Sequence, residues 1–97
     1  MTCIGFLVPA EEEMLEAAQY YESQTRGLGH EFLVGVQRTV ARIIENPRLG
    51  QIVRGDTRRR LMSKFPFGIL YRIDPQEIVI IAVMHLRRRP GYWADRV

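Results

Sequence analysis

The residues most able to do chemistry in this chain lie close together, in His85-Leu86-Arg87-Arg88-Arg89-Pro90-Gly91-Tyr92-Trp93-Ala94-Asp95-Arg96. A histidine, three consecutive arginines and an aromatic pair follow one another across a Pro-Gly break. Guanidinium forks match phosphate and carboxylate oxygens, and an aromatic face can stack on a base. On a strand-exit loop these side chains converge into a basic patch with His85, Tyr92 and Trp93 beside it. Each also has a structural reading. Tyr92 and Trp93 can fold back to cap a sheet, and a histidine at a strand end can satisfy a backbone carbonyl. Only if the chain is a nuclease are His85, Arg88 and Tyr92 the candidate catalytic residues. The candidate nucleic-acid or partner-binding set is Arg58, Arg60, Lys64, Arg72, Arg87, Arg89 and Trp93. Arg58, Arg59, Arg60, Lys64 and Arg72 fall on segments that read as neighbouring strands, so some of them are expected at the same rim.

Charge supports an anionic partner. The net +3 conceals an asymmetry: residues 1–47 carry three arginines against seven glutamates, whereas residues 48–97 carry ten arginines and Lys64 against four carboxylates. An acidic half joined to a basic half attracts polyanions or acidic segments. Arginine outnumbers lysine ten to one in the basic half, and it is the cation suited to bidentate contacts. Metal chemistry is not expected. Cys3 is the one cysteine, His30 and His85 are far apart, and neither has an acidic cluster beside it. No phosphate-binding glycine loop, zinc-protease motif or nucleophile elbow is present, and no cofactor is expected. The start, MTCIGFLVPAEEE, lacks a basic region ahead of its short apolar run. The longest apolar run, Ile78 to Met84, is too short for a bilayer. A cytoplasmic protein is expected, with Cys3 as a small buried thiol on the first strand.

Ninety-seven residues suit one domain, spanning 1–97. Ile4 to Val8 reads as a strand, after which Pro9 fits the first helical position. Met14, Ala18 and Tyr21, widened by Leu15 and Ala17, make the apolar stripe of a helix ending near Gln24 to Gly27. Phe32, Val36, Val40 and Ile43, widened by Leu33 and Ile44, mark a second helix from about Leu28 to Asn46, where Pro47 stops it. The short connection forces a helical hairpin. Thr57 to Lys64 reads as an exposed or edge strand, and Phe65-Pro66-Phe67 as a bend. The alternation from Phe67 to Ile73 reads as a half-buried strand, and Asp74 to Glu77 as a turn. Ile78 to Met84, apolar throughout, reads as a strand covered on both faces. The fold expected is α+β, in the order β-α-α-β-β-β, with the hairpin packed on a small, mainly antiparallel sheet.

In this order the sequence resembles the RelE/ParE toxin superfamily of type II toxin–antitoxin modules, nearer the ParE branch. The resemblance runs through Ala17-Ala18-Gln19-Tyr20-Tyr21-Glu22, Gly27-Leu28-Gly29, Glu45-Asn46-Pro47, Phe65-Pro66-Phe67, Leu70-Tyr71-Arg72, Ala82-Val83-Met84-His85, Arg88-Arg89-Pro90-Gly91-Tyr92-Trp93 and Arg96. It implies a small cytoplasmic toxin neutralised by a cognate antitoxin, active in growth arrest or plasmid stabilisation, and reaching operator DNA only through the antitoxin complex. ParE-like members poison DNA gyrase. RelE-like members cleave messenger RNA on the ribosome without a metal; that resemblance implies His85 as acid or base, Arg87 or Arg88 as the phosphate clamp and Tyr92 as a stacking ring. This chain departs from that pattern, because the arginine those nucleases carry at the start of the third strand is replaced here, at about Gly68. A non-toxic binding module or co-repressor is a third reading.

Overall fold

A computed structural model describes residues 3–97. Residues 1 and 2, which open the segment read above as lacking an export signal, lie outside that range. Five strands and two helices follow in the order β1 (Cys3–Phe6), α1 (Val8–Gln24), α2 (Leu28–Glu45), β2 (Gln51–Arg54), β3 (Thr57–Leu61), β4 (Phe67–Ile73) and β5 (Glu77–His85). Short 3-10 turns occupy Pro47–Leu49 and Ala94–Arg96.

The sheet order is β1-β5-β4-β3-β2. β1 runs parallel to β5, from Cys3 opposite Glu77 to Phe6 opposite Ile80, and the other neighbours are antiparallel. The α+β arrangement is the expected one, with one strand added. Gln51–Arg54 pairs with β3 and becomes the edge, so β3 is interior rather than the edge strand anticipated from its charge. Arg54 lies opposite Thr57 across Gly55-Asp56, with φ 55° at Gly55, a conformation that glycine adopts without strain in two-residue hairpins.

Pro9 falls at the second helical position, because Val8 already belongs to α1. The tight joint between the helices rests on one carboxylate. Gly27, at φ 87°, has no side chain to cap α2, and Glu22 of α1 accepts from the N–H groups of Gly27 and Gly29 at 3.0 Å each. Two helix-start donors thereby gain an acceptor.

The hairpin covers one sheet face. Ala10, Ala18, Phe32, Val36 and Ile43 pack there on Phe67, Ile69, Tyr71, Ile80 and Val83. Tyr21, Phe32, Phe65 and Phe67 form an aromatic cluster, with centroids 4.8–6.3 Å apart. The stripes are narrower than the sequence pattern suggested: Leu15 and Ile44 are exposed on the outer helix faces. Cys3 is exposed as well, not the buried thiol expected.

The continuous apolar run in β5 has a specific cause. Leu70 pairs with Ala82 but Tyr71 with Ile80, which leaves Ile81 as an extra, bulged residue. The run therefore supplies Ile80 and Val83 to the helix side, and Ile81, Ala82 and Met84 to a second cluster with Leu70 and Trp93.

Candidate functional site

Facing residues in a ladder share a sheet face, so the register decides which arginines meet. Arg59 lies opposite Leu70 and Arg54 opposite Thr57, which places both on the face away from the helices. Arg58 lies opposite Tyr71 and Arg60 opposite Ile69, on the helix side. The strand arginines therefore do not form one patch.

On the open face, Arg54, Arg59 and Arg88 border a groove of about 540 Å³ whose apolar lining includes Leu70, Met84, Leu86 and Trp93. The Arg59 stem lies across Gly68, where a Cβ would come within 3.0 Å of Arg59 Cδ. Arg59 Nη2 donates to Gln51 Oε1 at 3.1 Å, and its Nε is buried without an acceptor. Arg54 Nη1 would sit 3.3 Å from a Cβ at Gly91, so the small residue lets that guanidinium approach the loop.

The other cations have different occupations. Arg58 Nη1 donates to the carbonyls of Arg48 and Gly50 at 2.9 Å each, tying down the segment between α2 and β2. Tyr71 assists by donating to the Pro47 carbonyl and accepting from Gly50 N–H. Arg60 is half-buried, its Nη1 without an acceptor. Arg72 forms a two-point pair with Asp74 at 2.8 and 3.2 Å, which holds the Asp74 carboxyl below the usual carboxylate range. Lys64 borders a separate cleft with His30, Glu31 and Arg38. Arg87 and Arg89 are exposed.

The three candidate catalytic residues are spread along the loop. The His85 ring lies edge-on to Phe67 at 5.1 Å, and its Nδ1 accepts from Arg87 N–H at 3.0 Å. That contact places the proton of the neutral ring on Nε2. His85 and Arg88 line one cleft against Glu16, Tyr20 and Tyr21 of α1, whereas Arg88 and Tyr92 line another. The Arg88 guanidinium sits 4.0 Å over the Tyr92 ring. Trp93 is 4 % exposed and packs under the sheet with Leu70, Ile81 and Met84, so its ring offers no stacking surface.

Glu13 of α1, which the sequence patterns did not single out, gathers the loop. Oε2 accepts from Tyr92 O–H at 2.7 Å and Arg96 Nη2 at 3.0 Å; Oε1 accepts from Arg96 Nη1 at 2.9 Å and Val83 N–H at 3.1 Å. Arg96 also donates to the Ile81 carbonyl at 3.2 Å. β1 stops opposite Ile80, and these two side chains satisfy the edge of β5 beyond it.

Burial, then the Glu13 contact, push the Tyr92 hydroxyl well above the ordinary tyrosine value. A phenol whose proton is held more tightly in the folded state stabilises the fold fully below its unfolded value, near 10, and loses that contribution as pH rises towards the folded one. Urea unfolding followed against pH should thus show stability falling above about pH 10, with a smaller slope in Tyr92→Phe. An identical slope in that variant would contradict the Glu13–Tyr92 assignment.

Residues 4–90 match the family model described as the ParE toxin of type II toxin–antitoxin system, parDE. The chain belongs to the ParE toxin family. A solved structure of a chromosomal ParDE toxin–antitoxin system from P. aeruginosa superposes with a TM-score of 0.66 at 18 % identity, over 88 % of this chain and 96 % of that one. At that identity the likeness concerns the fold. No curated protein matches the sequence. This ParE-family chain keeps Tyr92 and Arg96, two of the groups on Glu13, beyond the end of the matched segment. No helix among its described residues is long and apolar enough to cross a membrane, and no group of three His, Cys, Asp or Glu among them is placed to hold a metal ion.

Proposed function

We propose that this ParE-family chain arrests growth by acting on DNA gyrase in the cytoplasm, is neutralised by a cognate antitoxin, and reaches operator DNA only within the antitoxin complex. The same pair would serve plasmid stabilisation where a plasmid carries it. The observation that carries this reading is the family match over residues 4–90. The geometry agrees with a binding role. Acid–base cleavage of RNA needs a proton donor and acceptor on either side of one phosphate. Here His85 and Tyr92 border different clefts, and the Tyr92 hydroxyl is committed to Glu13.

Induced expression, followed by parallel measurement of DNA synthesis, gyrase–DNA cleavage complexes and translation, tests the reading. DNA synthesis should stop and cleavage complexes accumulate while translation continues at first. Early loss of translation with ribosome-phased mRNA cuts, removed by His85→Ala, would replace the gyrase reading with the ribosome and mRNA one. Unimpaired growth at full expression would leave a binding module or co-repressor.

A further inference from the structure

Two surfaces of this chain carry opposite, unbalanced charge. In the open-face groove Arg54, Arg59 and Arg88 border an apolar floor that no carboxylate lines. On the outer face of α1, Val8 and Leu15 stand two turns apart, 69 % and 46 % exposed, with exposed Glu11 and Glu12 on either side of their line. Among the described residues the ion pairs are Arg72–Asp74 and Arg96–Glu13, so neither the groove arginines nor these glutamates have a charged partner in their own chain. α1 packs on the opposite sheet face from the groove.

We propose that a second copy of this chain is the occupant: the outer face of α1 in one molecule docks in the arginine groove of the next. Leu15 then meets the apolar floor, and Glu11 and Glu12 meet the guanidinium forks. Arg59 is the residue with most to gain, because the hold on its exposed Nη2 is a neutral amide, Gln51, and not a carboxylate. A nucleic-acid strand fits less well. Trp93 is buried, and the guanidinium groups of Arg88 and Arg96 sit 4.0 and 5.0 Å from the Tyr92 ring centre, so this pair already has its faces engaged and offers a poor stacking platform for a base. Because the two patches differ, each contact leaves a groove and a helix free, so association propagates or closes as a ring. Self-association would cover the groove until an acidic partner displaces it.

Analytical ultracentrifugation of the full chain, without a partner, over a concentration series at low and high salt tests this. The mass should climb above the 11.3 kDa of one copy at low salt and return to it at high salt. Arg59→Glu and Glu12→Arg should each weaken association by at least about tenfold, through like-charge contact. An equimolar mixture of the two variants should associate again, since each supplies the surface that the other lacks. A single-copy mass at every concentration, association indifferent to both substitutions, or a mixture that stays dissociated would each overturn the proposal. Binding of an acidic peptide or duplex DNA by a chain that never self-associates would also overturn it, and assign the groove to that ligand. The salt series on the unaltered chain decides the matter even if a variant folds poorly.

Discussion

Glu13→Gln is expected to lower the unfolding free energy by about 3 kcal/mol, the range for removing one member of a buried ion pair. Both partners are largely enclosed, with 13 % of the Glu13 side chain and 16 % of the Arg96 side chain exposed. Each carboxylate oxygen accepts twice, from Arg96 on both and from Val83 and Tyr92 on one each. An amide of the same shape turns one oxygen into a donor facing donors, and leaves Arg96 charged and unpaired. Urea titration measures the loss, and Glu12→Gln on the exposed face of the same helix should stay within about 0.5 kcal/mol. Hydrogen exchange should also show faster exchange at Val83, whose amide would lose its acceptor. Equal stability of the two variants would mean that the Glu13 cluster does not hold the C-terminal segment.

Gly29→Ala should be nearly as damaging, at about 2–3 kcal/mol, by overpacking. Its Cβ would lie 2.5 Å from the Ala18 carbonyl, a backbone atom that cannot swing aside, and 3.0 Å from Glu22 Cβ. The helices would have to separate, loosening Phe32 and Tyr21 from the aromatic cluster and pulling Glu22 from the two amides it caps. Gly27→Ala provides the contrast. Nothing lies within 4 Å of its Cβ, and the penalty there is conformational, about 1 kcal/mol for φ 87°. Thermal unfolding of the pair should rank Gly29→Ala well below Gly27→Ala. The reverse order would show that the helices are not in close contact at Gly29.

Elements built from local patterns were legible in the sequence. The two helical stripes, the turn at Asp74–Glu77 and the apolar β5 run reflect periodicity and turn chemistry that act over a few residues. The hairpin into β3 was also signalled, by Ile52-Val53-Arg54 followed by Gly55-Asp56, but the basic run after it obscured the pairing. Which arginines converge was not legible. Arg58, Arg59 and Arg60 are chemically alike, and only the register against β4 places Arg59 in the groove and its neighbours on the helix side. A slip of one residue would exchange them. Arg54 could not be placed without the β2 pairing, and Glu13 gives no sign in sequence that its partners lie at 83, 92 and 96.

The parallel pairing of β1 with β5 bears on how the polypeptide matures during synthesis. Residues 3–6 emerge from the ribosome well ahead of their ladder partners, residues 77–80. At about 5–20 residues per second, the nascent amino-terminal strand waits several seconds for its neighbour. Contacts of such sequence separation slow folding, because the intervening loop must close before they are gained. A fragment released before β5 is made would lack Met84, Leu86, Arg88 and Trp93, so a translation stall would yield a chain without the arginine groove.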